Sequence, residues 1–75
     1  MKTKVKFLYN EYNDDLFAYF PFEESSQGYK TAYSHLGQHS ACHHKYAEES
    51  RDATMLEYLD LFNELQSIGY RLELI

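Results

Sequence analysis

A chain of 75 residues has room for one domain, spanning 1–75, and a net charge of −5 argues against a nucleic-acid partner, which requires a broad basic footprint. Its single cysteine excludes an internal disulfide. Eight tyrosines and five phenylalanines, with no tryptophan, supply the large apolar surfaces from which so short a chain builds a core.

Lys2 to Tyr9 reads KTKVKFLY. Lys2, Lys4 and Lys6 fall on one side and Thr3, Val5, Phe7 and Tyr9 on the other, the period of two expected of a half-buried strand. These lysines form the chain's only basic stripe, read as a solvated sheet face. NEYNDD (Asn10–Asp15) is rich in turn formers, and LFAYFPF (Leu16–Phe22) is a second strand, apolar on both faces. Pro21 lacks an N–H for a ladder and marks the end of that strand or an edge position. A short polar loop between two strands predicts a β-hairpin.

EESSQG is the next loop, and Tyr29–Leu36 is a third strand, with Tyr29, Thr31, Tyr33 and His35 on one face. Gly37 breaks the pattern and predicts a bulge or bend, past which QHSACH could continue the strand. HKYAEESRDA is polar, without clean periodicity. The clearest element is a helix over TMLEYLDLFNELQSIGY. Thr54 is its N-cap, with Glu57 three residues on in capping-box spacing. Met55, Tyr58, Leu59, Phe62, Leu65 and Ile68 form its apolar stripe; Leu56 and Leu61 widen it toward a second packing surface. Gly69 stands where a left-handed residue ends a helix. RLELI (Arg71–Ile75) reads as a last short strand.

The expected fold class is therefore α+β, in the order β-β-β-α-β. A small antiparallel sheet of three to four strands carries one C-terminal amphipathic helix packed on one face. There is no apolar run of about 18 residues for a membrane span. The start of the chain lacks the apolar region of about 7–15 residues that marks an export signal. With a free cysteine added, the expected setting is cytoplasmic.

His35 to Tyr46 holds all four histidines and the cysteine. As a zinc site its ligands would be His35, His39, Cys42 and His43. In a strand, His35 and His39 share a face but lie about 13 Å apart. A helical turn over residues 39–43 would instead bring His39, Cys42 and His43 together. Structural zinc sites pair such a cluster with a second one, and none is present. As a nucleophile, Cys42 lacks an assigned partner, because the adjacent His43 points to the opposite face of a strand. No orienting residue can be assigned, although Asp52 and Asn63 exist. The plainer reading places Ala41 and Cys42 in the core and the histidines at strand ends or in water.

The run YSHLGQHSACH followed by SRDATMLEYLDLFNELQSIGY resembles a group of short uncharacterised proteins of gut bacteria and their phages and mobile elements. The shared pattern is Gly37–Ser40, Arg51–Thr54, Glu57–Tyr58 and Ile68–Tyr70, within residues 33–70, about half of the chain. Asp52 departs from the proline of that pattern, which loosens the helix start. The resemblance implies a small α+β domain in a bacterial, intracellular setting and carries no activity.

The first expectation for function is a non-catalytic binding or adaptor protein acting through protein contacts, with no cofactor. The expected contact region comprises Tyr33, His35, Gln38, His39, His43, His44 and Tyr46. A zinc-binding module over residues 35–44 is the second reading, and a thiol-dependent enzyme is the third. Exposed sheet edges and the broad apolar helix also suit a homodimer.

Overall fold

Because Leu16–Phe20 has no polar face, any sheet that contains it must be covered on both sides. The computed structural model describes residues 2–26, 29–34 and 38–75, and it shows such a cover. The elements are β1 (Thr3–Asn10), β2 (Asp15–Ser26), β3 (Tyr29–Ser34), β4 (Gln38–His43), α1 (His44–Glu49), β5 (Arg51–Asp52), α2 (Met55–Ser67) and β6 (Leu72–Leu74). The strand order is β4-β3-β2-β1-β5, antiparallel throughout, and β6 lies parallel to β1 beside its first half. Among the described residues, no helix is long and apolar enough to cross a membrane.

The α+β class and the mostly antiparallel character stand, but the described residues form a sheet of six strands rather than three or four, and two helices rather than one. Each addition has a local cause. Ser34 pairs with Gln38 and Lys30 with Cys42, so QHSACH is a separate strand returning along β3 rather than its continuation. Gly37, expected at the bend, lies outside the described residues. The two residues of β5 and the six of α1 are too few to carry a readable period.

The β1–β2 hairpin is tied by its own side chains. Asn10, only 1% exposed, accepts the N–H of Asn13, and the Tyr9 hydroxyl donates to Asp14. Asp14 takes a left-handed backbone (φ 51°), which Asp tolerates better than most residues. Pro21 falls where the β2–β3 register shifts, between Phe20 and Glu24. A missing N–H there disturbs no regular ladder.

One sheet face carries Val5, Phe7, Ala18, Phe20 and Tyr33 against Leu61 and Leu65 of α2. Phe7 stacks on Tyr58 (4.6 Å between ring centroids) and Phe20 on Tyr70 (5.4 Å). The opposite face carries Leu8, Phe17, Tyr19, Ala32 and Cys42, with Tyr46 and Ala47 of α1 over them. Full burial of one such large side chain is worth about 1.5–3 kcal/mol. The inward side of α2 is Tyr58, Leu61, Phe62 and Leu65, at offsets of three and four. The expected stripe is therefore rotated. Leu61 is fully buried, whereas Leu56, Met55, Ile68 and Leu59 are exposed.

The capping box at the start of α2 is formed: Thr54 Oγ1 accepts the N–H of Glu57, and the Glu57 carboxylate accepts the N–H of Thr54 (2.8 Å). The same carboxylate receives both Arg51 nitrogens, at 2.8 and 2.7 Å, while that guanidinium lies over the Tyr9 ring. β5 and the α2 start are thus fastened together at the sheet edge. Arg51 first, and the Thr54 N–H next, lower the Glu57 carboxyl to about 2. Past the other end of α2, Gly69 adopts φ 111°, a conformation open to glycine and strained for other residues.

Two outcomes follow for stability. In urea denaturation, Leu65→Ala should cost roughly 3–5 kcal/mol, while Leu56→Ala should fall within about 0.5 kcal/mol of the parent. Similar losses at the two sites would contradict the observed rotation of α2. Glu57, depressed in the folded state, stabilises the fold above its unfolded pKa near 4.5, and that contribution is lost as pH falls toward about 2. Denaturation midpoints followed from about pH 6 to about pH 2.5 should therefore fall less steeply in Glu57→Gln than in the parent. Equal slopes would remove the pairing from the stability account.

Candidate functional site

The histidine-rich segment lies at the junction of β4 and α1. His43 is the N-cap of α1: its Nδ1 accepts the N–H of Lys45 at 3.1 Å. Its ring meets the edge of Tyr29 (5.2 Å) and stacks on His44 (4.3 Å). Tyr46, one turn on, packs on Phe17, donates its hydroxyl to Asp15 at 2.9 Å and accepts from Asn13. Burial raises the Tyr46 hydroxyl above its ordinary pKa, which keeps it a donor to Asp15. Ser50 donates to the Tyr46 carbonyl (2.8 Å) and accepts from Asn10 (3.2 Å). This chain of bonds pins α1 to the β1–β2 hairpin. The sequence shows Asn10–Asp15 only as a turn, because the bonds Asn10–Ser50, Asn13–Tyr46 and Asp15–Tyr46 span 40, 33 and 31 positions.

Beside the junction is a cleft of about 250 Å³, lined by Asp15, Phe17, Ala32, Ser34, Ala41, Cys42, His43 and Tyr46. Cys42 is buried there, and its thiol donates weakly to the His43 carbonyl at 3.5 Å. Burial, and then the nearby Asp15 carboxylate, push the thiol pKa up. Both effects disfavour the thiolate, the form that attacks substrates and binds metals.

The expected residues are only partly brought together. Tyr33, placed on the contact face, is a correction: it is 1% exposed, and its hydroxyl donates to Glu64 of α2. It shares the inward face of β3 and closes the core. Ala41, expected in the core beside Cys42, is exposed, as strand alternation requires once Cys42 points inward. His35 lies outside the described residues, as do the side chains of Gln38 and His39. His44 is exposed, and His43 and Tyr46 are half-buried. Residues 38–43 form a strand, not the helical turn that would gather His39, Cys42 and His43. Among the described residues, no group of three His, Cys, Asp or Glu side chains converges on a point that could hold a metal.

A second surface has more open apolar area. Leu56 is 91% exposed and Met55 64%, with Leu59 beside them on α2 and Leu74 and Ile75 exposed at β6. Leu74 and Ile75 line a shallow notch of about 160 Å³ with Phe7, Ala53 and Tyr58. The sequence signal for this surface is the surplus of apolar residues on α2, more than one face of a helix can bury. No family model matches the chain, and no curated protein and no solved structure matches it.

Iodoacetamide should alkylate Cys42 of the folded protein at neutral pH at least about tenfold more slowly than in a urea-denatured control. Equal rates would mean that the thiol is neither shielded nor disfavoured as a thiolate.

Proposed function

We propose that this chain is a small non-catalytic binding module that acts through protein contacts. The observation that carries the reading is the outward side of α2, where Met55, Leu56 and Leu59 are exposed although Leu61 and Leu65, on the same helix, saturate the core. Adjacent apolar side chains left open to water cost solubility and add nothing to the fold, which suits a surface that a partner covers. The shielded Cys42 thiol and the structural bonds already made by His43 and Tyr46 support a scaffold role for the junction. Flat apolar surfaces of this kind recognise other proteins by shape and burial, with a few anchor residues dominating the affinity.

The test compares the parent with Leu56→Glu as immobilised baits at matched folding, verified by circular dichroism. The parent should retain a discrete partner that Leu56→Glu loses, with no change in thermal midpoint beyond about 2 °C. Equal retention by both baits, or retention by neither, would overturn the assignment to α2.

A further inference from the structure

We infer that the outer edge of β6 is a self-association site, paired antiparallel with β6 of a second copy of this chain about a two-fold axis at Leu72. This deepens the protein-contact reading by naming one partner, and it rests on that reading. Three observations carry it. First, β6 is an edge: it pairs with β1 on one side, and no described strand lies on the other. The Arg71 carbonyl accepts from Thr3, and the Ile75 N–H donates to Val5, so the backbone groups of odd-numbered residues address β1. Those of Leu72 and Leu74 therefore point outward, unpaired by any described strand; about an axis at Leu72 the complete pair of ladder bonds joins the two Leu72 residues, because the N–H of Tyr70, which Leu74 would face, is already given to the Leu65 carbonyl.

Second, the charges select one register. With Leu72 opposite Leu72 of the second copy, Arg71 faces Glu73 of that copy and Glu73 faces its Arg71. Both pairs are opposite in sign and fall at non-hydrogen-bonded positions, where side chains approach most closely. Moving the axis to Glu73 would set two carboxylates against each other, and moving it to Leu74 would leave Glu73 facing Ile75. Arg71 and Glu73 are both exposed, and they share the sheet face opposite Leu72, which packs under α2.

Third, the apolar surface lies at this edge. Glu64 of α2, bonded to Tyr33, stands over β3, while Tyr58 and Phe62 pack on Phe7 of β1. At 100° per residue, Met55 and Leu59 lie beyond Tyr58 and Phe62, away from Glu64, on the side of β1 that carries β5 and β6. Met55, Leu59 and Leu74 are 64%, 44% and 50% exposed in the single chain. In this register Leu74 faces Tyr70 of the second copy on the α2 side of the sheet, while the Arg71–Glu73 pairs occupy the other face. A symmetric interface of this kind closes on itself and stops at two copies.

Sedimentation velocity from about 1 µM to about 1 mM tests the inference. The parent should pass from monomer to dimer, with a dissociation constant that rises with salt. Arg71→Glu alone and Glu73→Arg alone should each weaken association at least about tenfold, because each converts attraction to repulsion twice. An equimolar mixture of the two variants should recover a dimer, since every cross-strand pair is then opposite in sign. The double variant carrying both changes should dimerise as the parent does, which separates the pairing from any local effect on folding. A parent that stays monomeric throughout would overturn the inference, as would a dimer indifferent to the single reversals. In either case, partner retention by the parent bait and its loss in Leu56→Glu would leave the broader contact reading standing.

Discussion

The fold depends on the double-sided burial of β2. Phe17 and Tyr19 point one way and Ala18 and Phe20 the other, and all four are at most 8% exposed. A strand of this kind cannot lie at the surface of a two-layer fold. It requires β1 and β3 as neighbours and something apolar on each side of the sheet. Helix α2 meets the demand on one face with Leu61 and Leu65. On the other, the short α1 meets it with Tyr46 and Ala47. A 75-residue chain thereby builds two small cores on one sheet, each with an aromatic ring pair joining sheet to cover, Phe7 on Tyr58 and Phe17 on Tyr46.

The two covers differ in kind. Helix α2 is thirteen residues long, capped at its start and fastened to β5 through Arg51 and Glu57, so apolar packing and a charged clasp act together. A six-residue helix has no such reserve and would not form by itself in water. α1 is held by tertiary bonds: the His43 cap, Tyr46 on Asp15, and Ser50 between Asn10 and the Tyr46 carbonyl. Of the residues that looked chemically suggestive in sequence, His43 and Tyr46 are employed in fixing this short helix. Among the described residues, the outward side of α2 and the end of β6 carry exposed apolar side chains, Met55, Leu56, Leu59, Leu74 and Ile75.

How much of this was legible depended on the range of the determining interaction. The alternation in β1, the two-faced β2 and the Thr54–Glu57 cap are local, and the sequence displays them directly. The rotation of α2 was not legible, because apolar residues surround most of that helix and only the sheet decides that Leu61 is covered and Leu56 is not. The last strand was legible in RLELI, but its parallel pairing with β1 and the two-residue β5 were hidden for a related reason: both depend on the edge that β1 offers them. Tyr33 misled in the same way, since a tyrosine on a strand near a histidine cluster looks like surface until α2 is laid across it.

The central claim, that β2 buried from both sides holds the domain together without a bound ion, is tested most directly by residue-resolved amide hydrogen exchange on chelator-treated protein. The account predicts that the amides of Phe17 to Phe20 are the slowest in the chain and exchange only with global unfolding, at the free energy given by denaturant titration. Exchange of those amides at unprotected rates in the metal-free protein, or slowest exchange in α1 or β4 instead, would contradict it.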